Sequence, residues 1–273
     1  MNRPFASVIV NGLLIGLTFV SLFPLLWMLS VSFMAAGEAS TLPPPLLPNA
    51  PTFANYRELF ERGGMLRYFT NSLLLATSVT LISLVFNAMA GYAFAKMHFA
   101  GQQRLFKVLI GTVIIPGQVA MMPLFLLLKQ MGLVNTYGGV IVPAMAGVFG
   151  IFLVRQYALS IPDELLEAAR MDGAGEFRIF ASIILPLLAP ILASLAIFMF
   201  LGCWNDFMWP LIVLTDAKLQ TLPVALASLS REHAQDSEMM MAGSVVTVLP
   251  VLVVFLGLQK FYIRGLLAGS VKG

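Results

Sequence analysis

Charged side chains crowd into one short stretch of an otherwise apolar sequence: Asp163, Glu164, Glu167, Asp172 and Glu176, with Arg170 and Arg178 among them. Carboxylates at this density can perform acid–base chemistry or hold a metal when they converge on a pocket. Their spacing here is instead that of a solvent-facing helix surface, with Leu165, Leu166, Ala168 and Ala169 forming its apolar side. The stretch therefore predicts a docking surface. Other chemistry is sparse. Cys203 is the only cysteine and His98 and His233 lie far apart, which excludes disulfides and the usual zinc spacings. No Gly-Lys dipeptide occurs, so the chain lacks the phosphate-binding loop needed to hydrolyse ATP. Trp204-Asn205-Asp206 reads as an interfacial anchor with a satisfied cap rather than a catalytic site.

The elements that carry this stretch are membrane helices. Hydrophobic residues make up 59% of the chain and charged residues 11%, with a mean hydropathy of +0.90, against about 25% charged residues in soluble domains. About 20 apolar residues span a bilayer, and six windows qualify: approximately 7–36, 69–95, 108–128, 139–159, 183–203 and 241–258. The fourth is short and recruits Tyr157 to Leu159 beyond Arg155. The first apolar run lasts about 30 residues, against about 7 to 15 in a cleavable signal core, and reads as a retained span. The expected fold is an all-α integral membrane protein of six transmembrane helices. With both termini inside, ten Lys and Arg fall on inner segments and six on outer ones, and this bias places 160–182 in the cytoplasm. The net charge of +3 reflects that topology and implies no nucleic acid.

Along the chain, Pro43-Pro44-Pro45, Pro48 and Pro51 stiffen a first outer strap. A short amphipathic helix around Leu59-Phe60 follows it. Pro116-Gly117 and Pro123 break the third span, and broken helices are tolerated only beside neighbouring helices or a polar cavity. Asn87 and Gln118 are the candidates for a polar pathway, since an amide facing lipid would go unpaired. Ser160-Ile161-Pro162-Asp163 predicts a helix start with a serine cap. Gly173 supplies the left-handed turn that ends this helix before a second one resumes near Glu176.

Glu167-Ala168-Ala169, Gly173, Ile183 and Leu185-Pro186 have the spacing that resembles the EAA loop of membrane subunits of bacterial ATP-binding-cassette importers. Asn71-Ser72, Ala90 to Ala95, Ile115 to Gln118, Pro162 to Leu165, Trp204 to Asp206, Thr221-Leu222 and Gly269 to Gly273 resemble the maltose-type carbohydrate importer permeases, in particular the smaller of their two dissimilar subunits. The one departure is Gly269-Ser270, where the family more often has Gly-Ala. The resemblance implies a single permease domain over 1–273 with a cytoplasmic coupling loop at 160–182. It also implies a second dissimilar permease, an ATPase homodimer that binds ATP and Mg, an extracytoplasmic sugar-binding protein, and no cofactor in this chain. Glu164, Glu167, Ala168, Ala169, Asp172 and Gly173 would meet the ATPase. Asp216, Lys218 and Arg231 would meet the binding protein. The location implied is the bacterial inner membrane, with lipid as the surrounding partner.

The rival reading is an ion-coupled secondary transporter of polar solutes. Such proteins place ionisable groups near midplane, and the central parts of all six windows hold none. An α-helix resting on lipid headgroups is a second rival for 163–176, and its acidic balance opposes anionic lipid.

Overall fold

The computed structural model describes residues 3–61, 63–232 and 236–268. Every regular element among them is helical: α1 (Arg3–Ser32), α2 (Ala54–Glu61), α3 (Met65–Lys96), α4 (Gln102–Gly111), α5 (Gly117–Gln130), α6 (Gly138–Ala144), α7 (Val148–Ala158), α8 (Glu164–Met171), α9 (Glu176–Ile179), α10 (Leu185–Leu187), α11 (Ala189–Trp204), α12 (Met208–Val213), α13 (Leu222–Glu232) and α14 (Ser237–Ala268). Four helices are long and apolar enough to cross a membrane, Val10–Ser32, Met65–Lys96, Gly138–Ala158 and Ser237–Gly257. Two further candidates are bent pairs, Gln102–Ile114 with Gly117–Gln130 at 107° and Glu176–Leu187 with Ala189–Trp204 at 77°. Among the described residues the count is thus four, or up to six with each bent pair as one span.

Proline chemistry explains the bends. Ile115 precedes Pro116 and takes an extended conformation (φ −81°, ψ 117°), as steric conflict with the proline ring requires. The second bend has Pro186 and Pro190 on either side of Leu188. Neither proline can donate to the carbonyl four residues back, and the chain passes Phe180–Ile184 as a π-turn before Pro186.

The chain divides into two compact units, Met1–Arg67 with Leu222–Pro250 and Tyr68–Thr221 with Val251–Gly273. In the first unit, the segment after α1 is tied by Asn55, whose Nδ2 donates to the carbonyls of Ser32 (3.0 Å) and Met34 (2.9 Å). Leu59 is buried and Phe60 half exposed. Gly243 of α14 abuts the Leu226 side chain of α13, where a Cβ would sit 2.5 Å from Cδ1.

The second unit is organised around α3. Between membrane helices lipid removes the hydrophobic driving force, so close backbone approach through small residues supplies the packing. Gly91 permits that approach to α7: a Cβ there would lie 2.6 Å from Val154 Cγ1 and 3.0 Å from the Arg155 backbone nitrogen. Gly91→Val is therefore expected to destabilise the protein by about 1–3 kcal/mol, the usual cost of overpacking, read by thermal unfolding of the purified complex. A variant as stable as the parent would mean that α3 and α7 do not touch there.

Candidate functional site

The predicted docking stretch folds as a helix, a tight turn and a second helix. Gly173 has φ 79°, its N–H donates to the Arg170 carbonyl and the N–H of Ala174 to that of Ala169, both at 3.0 Å. This is the Schellman pattern that closes a helix C-terminus. The helix start differs from expectation. Ser160 Oγ turns back to the Tyr157 carbonyl (2.7 Å), and the residue before the first turn is Asp163, which makes no side-chain cap. The reason is a stronger partner: Lys96 Nζ donates to Asp163 Oδ1 at 2.6 Å and to the Ile161 carbonyl at 2.5 Å.

That lysine, the last residue of α3, is one of two pins that fix the elbow to α3. The other is Glu176, which accepts from Arg170 Nε on one oxygen (2.8 Å) and from the Tyr92 hydroxyl on the other (3.0 Å). Beneath them Leu166, Ile161 and Ile179 are buried in a cluster with Val154, Ile184 and Leu188. Each fully buried aliphatic side chain contributes about 1.5–3 kcal/mol where the alternative is water, so the elbow is a rigid body. Asp163 and Glu176, counted with the acids of the docking surface, are both exposed, but each is held by partners within the chain. Glu164, Glu167, Ala168 and Asp172 are exposed, Ala169 is partly buried, and Met171 (89%) and Phe177 (79%) stand out as apolar side chains.

The hydrogen bond and charge of Lys96 hold the Asp163 carboxyl below its ordinary value of 3.8. A depressed carboxylate contributes above its unfolded pKa and loses that contribution as pH falls through the folded value. The tie should thus be constant from neutral pH to the ordinary carboxylate range, about 4, and weaken only below it. Hydrogen exchange across 161–171, corrected for intrinsic rates, should rise in that acidic window. Lys96→Met should lack the step.

A second exposed feature lies at the other end of α3. Asn71 Nδ2 donates to the carbonyls of Lys218 and Gln220, both at 2.9 Å, and its Oδ1 accepts from the Tyr137 hydroxyl at 2.7 Å. Asp216 N–H donates to Asn135 Oδ1 (2.8 Å), and Asp216 Oδ1 accepts from Lys218 N–H (2.8 Å). Asn135 has φ 59°, a left-handed conformation that asparagine tolerates. Asp216 and Lys218 are exposed on this braced loop. Between Asn71 and Lys96 the helix rises about 1.5 Å per residue, or about 37 Å, more than the roughly 30 Å of membrane hydrocarbon. The elbow and the loop therefore lie at opposite ends of α3, further apart than the thickness of membrane hydrocarbon.

Arg231 falls in α13, in the other unit, with its side chain outside the described residues, as are His233 and Gly269 to Gly273. Asn87 is fully buried: Nδ2 donates to Ser83 Oγ (2.8 Å) and Oδ1 accepts the N–H of Gly147 at the start of α7 (3.1 Å). Its amide braces the break between α6 and α7, and Gly150 leaves room for it, since a Cβ there would lie 2.6 Å from Asn87 Cγ. Gln118 is exposed near the bend of α4 and α5. Beside it Gly117 lines a cleft of about 360 Å³ with Val79, Met121, Phe198, Asp206 and Trp209. Asp206 accepts the Trp209 N–H (3.3 Å), the cap expected of it.

Residues 6–267 match the family described as binding-protein-dependent transport system inner membrane component. The chain belongs to this family. Such a permease is a multi-pass membrane protein, and its relatives are transport proteins rather than enzymes. The permease is 38% identical to the arabinooligosaccharides transport system permease protein AraQ of Halalkalibacterium halodurans, over 100% of both chains. It is 35% identical to the melibiose/raffinose/stachyose import permease protein MelC of Bacillus subtilis, over 92% of this chain and 91% of that one. It is 30% identical to the sn-glycerol-3-phosphate transport system permease protein UgpE of Agrobacterium fabrum, over 97% of each. In fold, it matches one chain of a bacterial ABC transporter involved in the import of alginate, with a TM-score of 0.85 and 23% identity over 96% of this chain and 99% of that chain.

Sequence reasoning missed the bracing residues. Lys96, Tyr137 and Asn135 carried no signal of this role. Tyr92 and Asn71 each stood in a recognised motif but without an assigned task.

Proposed function

We propose that this permease is one of two dissimilar membrane subunits of an ATP-driven carbohydrate importer, with six spans and both termini in the cytoplasm. The observation that carries this reading is the rigid elbow at one end of α3, opposite the braced loop at the other end. Glu164, Glu167, Ala168, Ala169, Asp172 and Gly173 dock into an ATPase dimer that holds ATP and Mg. Ala168 lets the partner approach the backbone, and Met171 and Phe177 add apolar contact. Asp216 and Lys218, with Arg231, meet an extracytoplasmic sugar-binding protein. The substrates for which the relatives are named, oligosaccharides above all, support a carbohydrate as cargo. Gln118, near the cleft, is the pathway group; Asn87 contributes by holding the α7 break in place.

In this mechanism, closure of the ATPase pair displaces α8. Continuity through Gly173 carries the displacement to α11, and the Lys96 and Glu176 pins carry it to α3. The chain itself performs no hydrolysis. The test is reconstitution in vesicles. Uptake should require the ATPase, the second permease, the binding protein and ATP together. Uptake by this chain alone on an ion gradient would establish the secondary-transporter reading instead.

A further inference from the structure

The segment between α1 and α2 carries no coupling group, yet it is held throughout its length. Glu38 accepts the N–H groups of Ala35 (3.0 Å) and Asn49 (2.6 Å), and Thr41 Oγ1 donates to the Glu38 carbonyl (2.9 Å). The N–H of Ala39 donates to the buried Glu238 (2.8 Å), and that of Thr52 to the Phe33 carbonyl (2.9 Å). On this frame three leucines stand in the open: Leu42 is 95% exposed, Leu46 64% and Leu47 75%. A solvated connector has no use for a rigid display of leucines.

Four observations identify what they meet. Ser30 Oγ, in the last turn of α1, donates to the Leu46 carbonyl at 2.6 Å, so Leu46 and Leu47 lie level with the end of a membrane span. None of the apolar window of that span is buried within the chain, and the leucines continue its apolar surface. Residues 39–56 contain no Asp, Glu, Lys or Arg, so no charge opposes entry into the boundary layer of a bilayer. Pro43, Pro44, Pro45, Pro48 and Pro51 carry no N–H, so the backbone brings few donors that a water-poor environment would leave unpaired.

We propose that the strap over 39–53 is an interfacial anchor that sets Leu42, Leu46 and Leu47 into the lipid boundary beside the end of α1. It fixes the depth of that end of the span and, through Ala39 and Glu238, of the start of α14. This holds whether or not the elbow is the ATPase contact.

The test uses a Cys203→Ser permease carrying Leu42→Cys, Leu46→Cys or Leu47→Cys, spin-labelled and assembled with its partners in phosphatidylcholine–phosphatidylglycerol nanodiscs. Each label should be relaxed several-fold more by oxygen than by an aqueous nickel chelate, while a Ser40→Cys label should show the opposite preference. Preference for the nickel chelate at the leucine positions would make the strap a solvated connector. Exclusion of both relaxants would mean that a partner protein covers it. Either result overturns the proposal. Quenching of a Leu47→Trp chain by lipids brominated near the headgroup, measured against the parent chain, checks the outcome without a label.

Discussion

Gly173→Pro is expected to abolish ATP-driven uptake while the permease remains inserted. Gly173 has φ 79°, whereas proline is confined near −65°, and the Gly173 N–H that donates to the Arg170 carbonyl (3.0 Å) would be lost. The combined cost, about 3 kcal/mol or more, corresponds to about two orders of magnitude in the population holding the elbow geometry. Nothing lies within 4 Å of a Cβ placed at this position, so the failure is conformational rather than steric. Gly173→Ala separates the two contributions. It keeps the N–H and bears only the left-handed cost of about 1–2 kcal/mol, so it should retain a measurable part of the uptake. ATP hydrolysis and solute uptake by the assembled complex, measured side by side in vesicles, give the answer. Wild-type uptake by the proline variant would show that α8 and α9 need not hold this angle.

Glu167→Lys is expected to weaken the grip of the ATPase without unfolding the elbow. Glu167 is exposed on α8, and its neighbours across one turn include the exposed Glu164. Glu167 lies in the first turn of α8, where reversing an exposed charge against the helix dipole costs about 0.3–1 kcal/mol, too little to unfold the elbow. Placing a like charge against a complementary partner surface costs several kcal/mol, so a loss of about 3 kcal/mol would lower affinity about 150-fold. Salt should narrow the difference, because the contact is between surface charges. Titration of detergent-solubilised permease complex with ATPase at two ionic strengths measures both effects. A stably assembled Glu167→Lys complex with normal transport would remove the elbow from the coupling pathway.

Both variants were identifiable from the sequence because the signals they rest on are local. A glycine between an acidic helix and a resuming apolar run specifies a left-handed turn whatever surrounds it. The alternation of Glu164 and Glu167 with Leu166 and Ala169 specifies which face is wet. Ser160 shows the limit of such reading. Its position matched a helix cap, but the competing carbonyl of Tyr157 and the Lys96–Asp163 pair moved the helix start to Glu164. Asn87 shows it again: an amide in an apolar span signals a need for partners and says nothing about which ones. The structure gives it Ser83 and Gly147.

Hydropathy, proline and glycine placement and charge bias needed no coordinates. They settled that the chain is helical and membrane-embedded, that its third window breaks at Pro116 and which residues form its charged elbow, because each follows from the chemistry of a residue and its immediate neighbours. Pro123, also expected to break that window, lies inside α5, and the bend at Leu188 was not foreseen. The pins could be found only in the folded chain. Lys96 meets Asp163 across 67 residues, Tyr92 meets Glu176 across 84, and Asn71 meets Lys218 across 147. Such pairings arise when separate helices pack side by side, and the spacing of residues along one chain carries no record of which helix will be the neighbour.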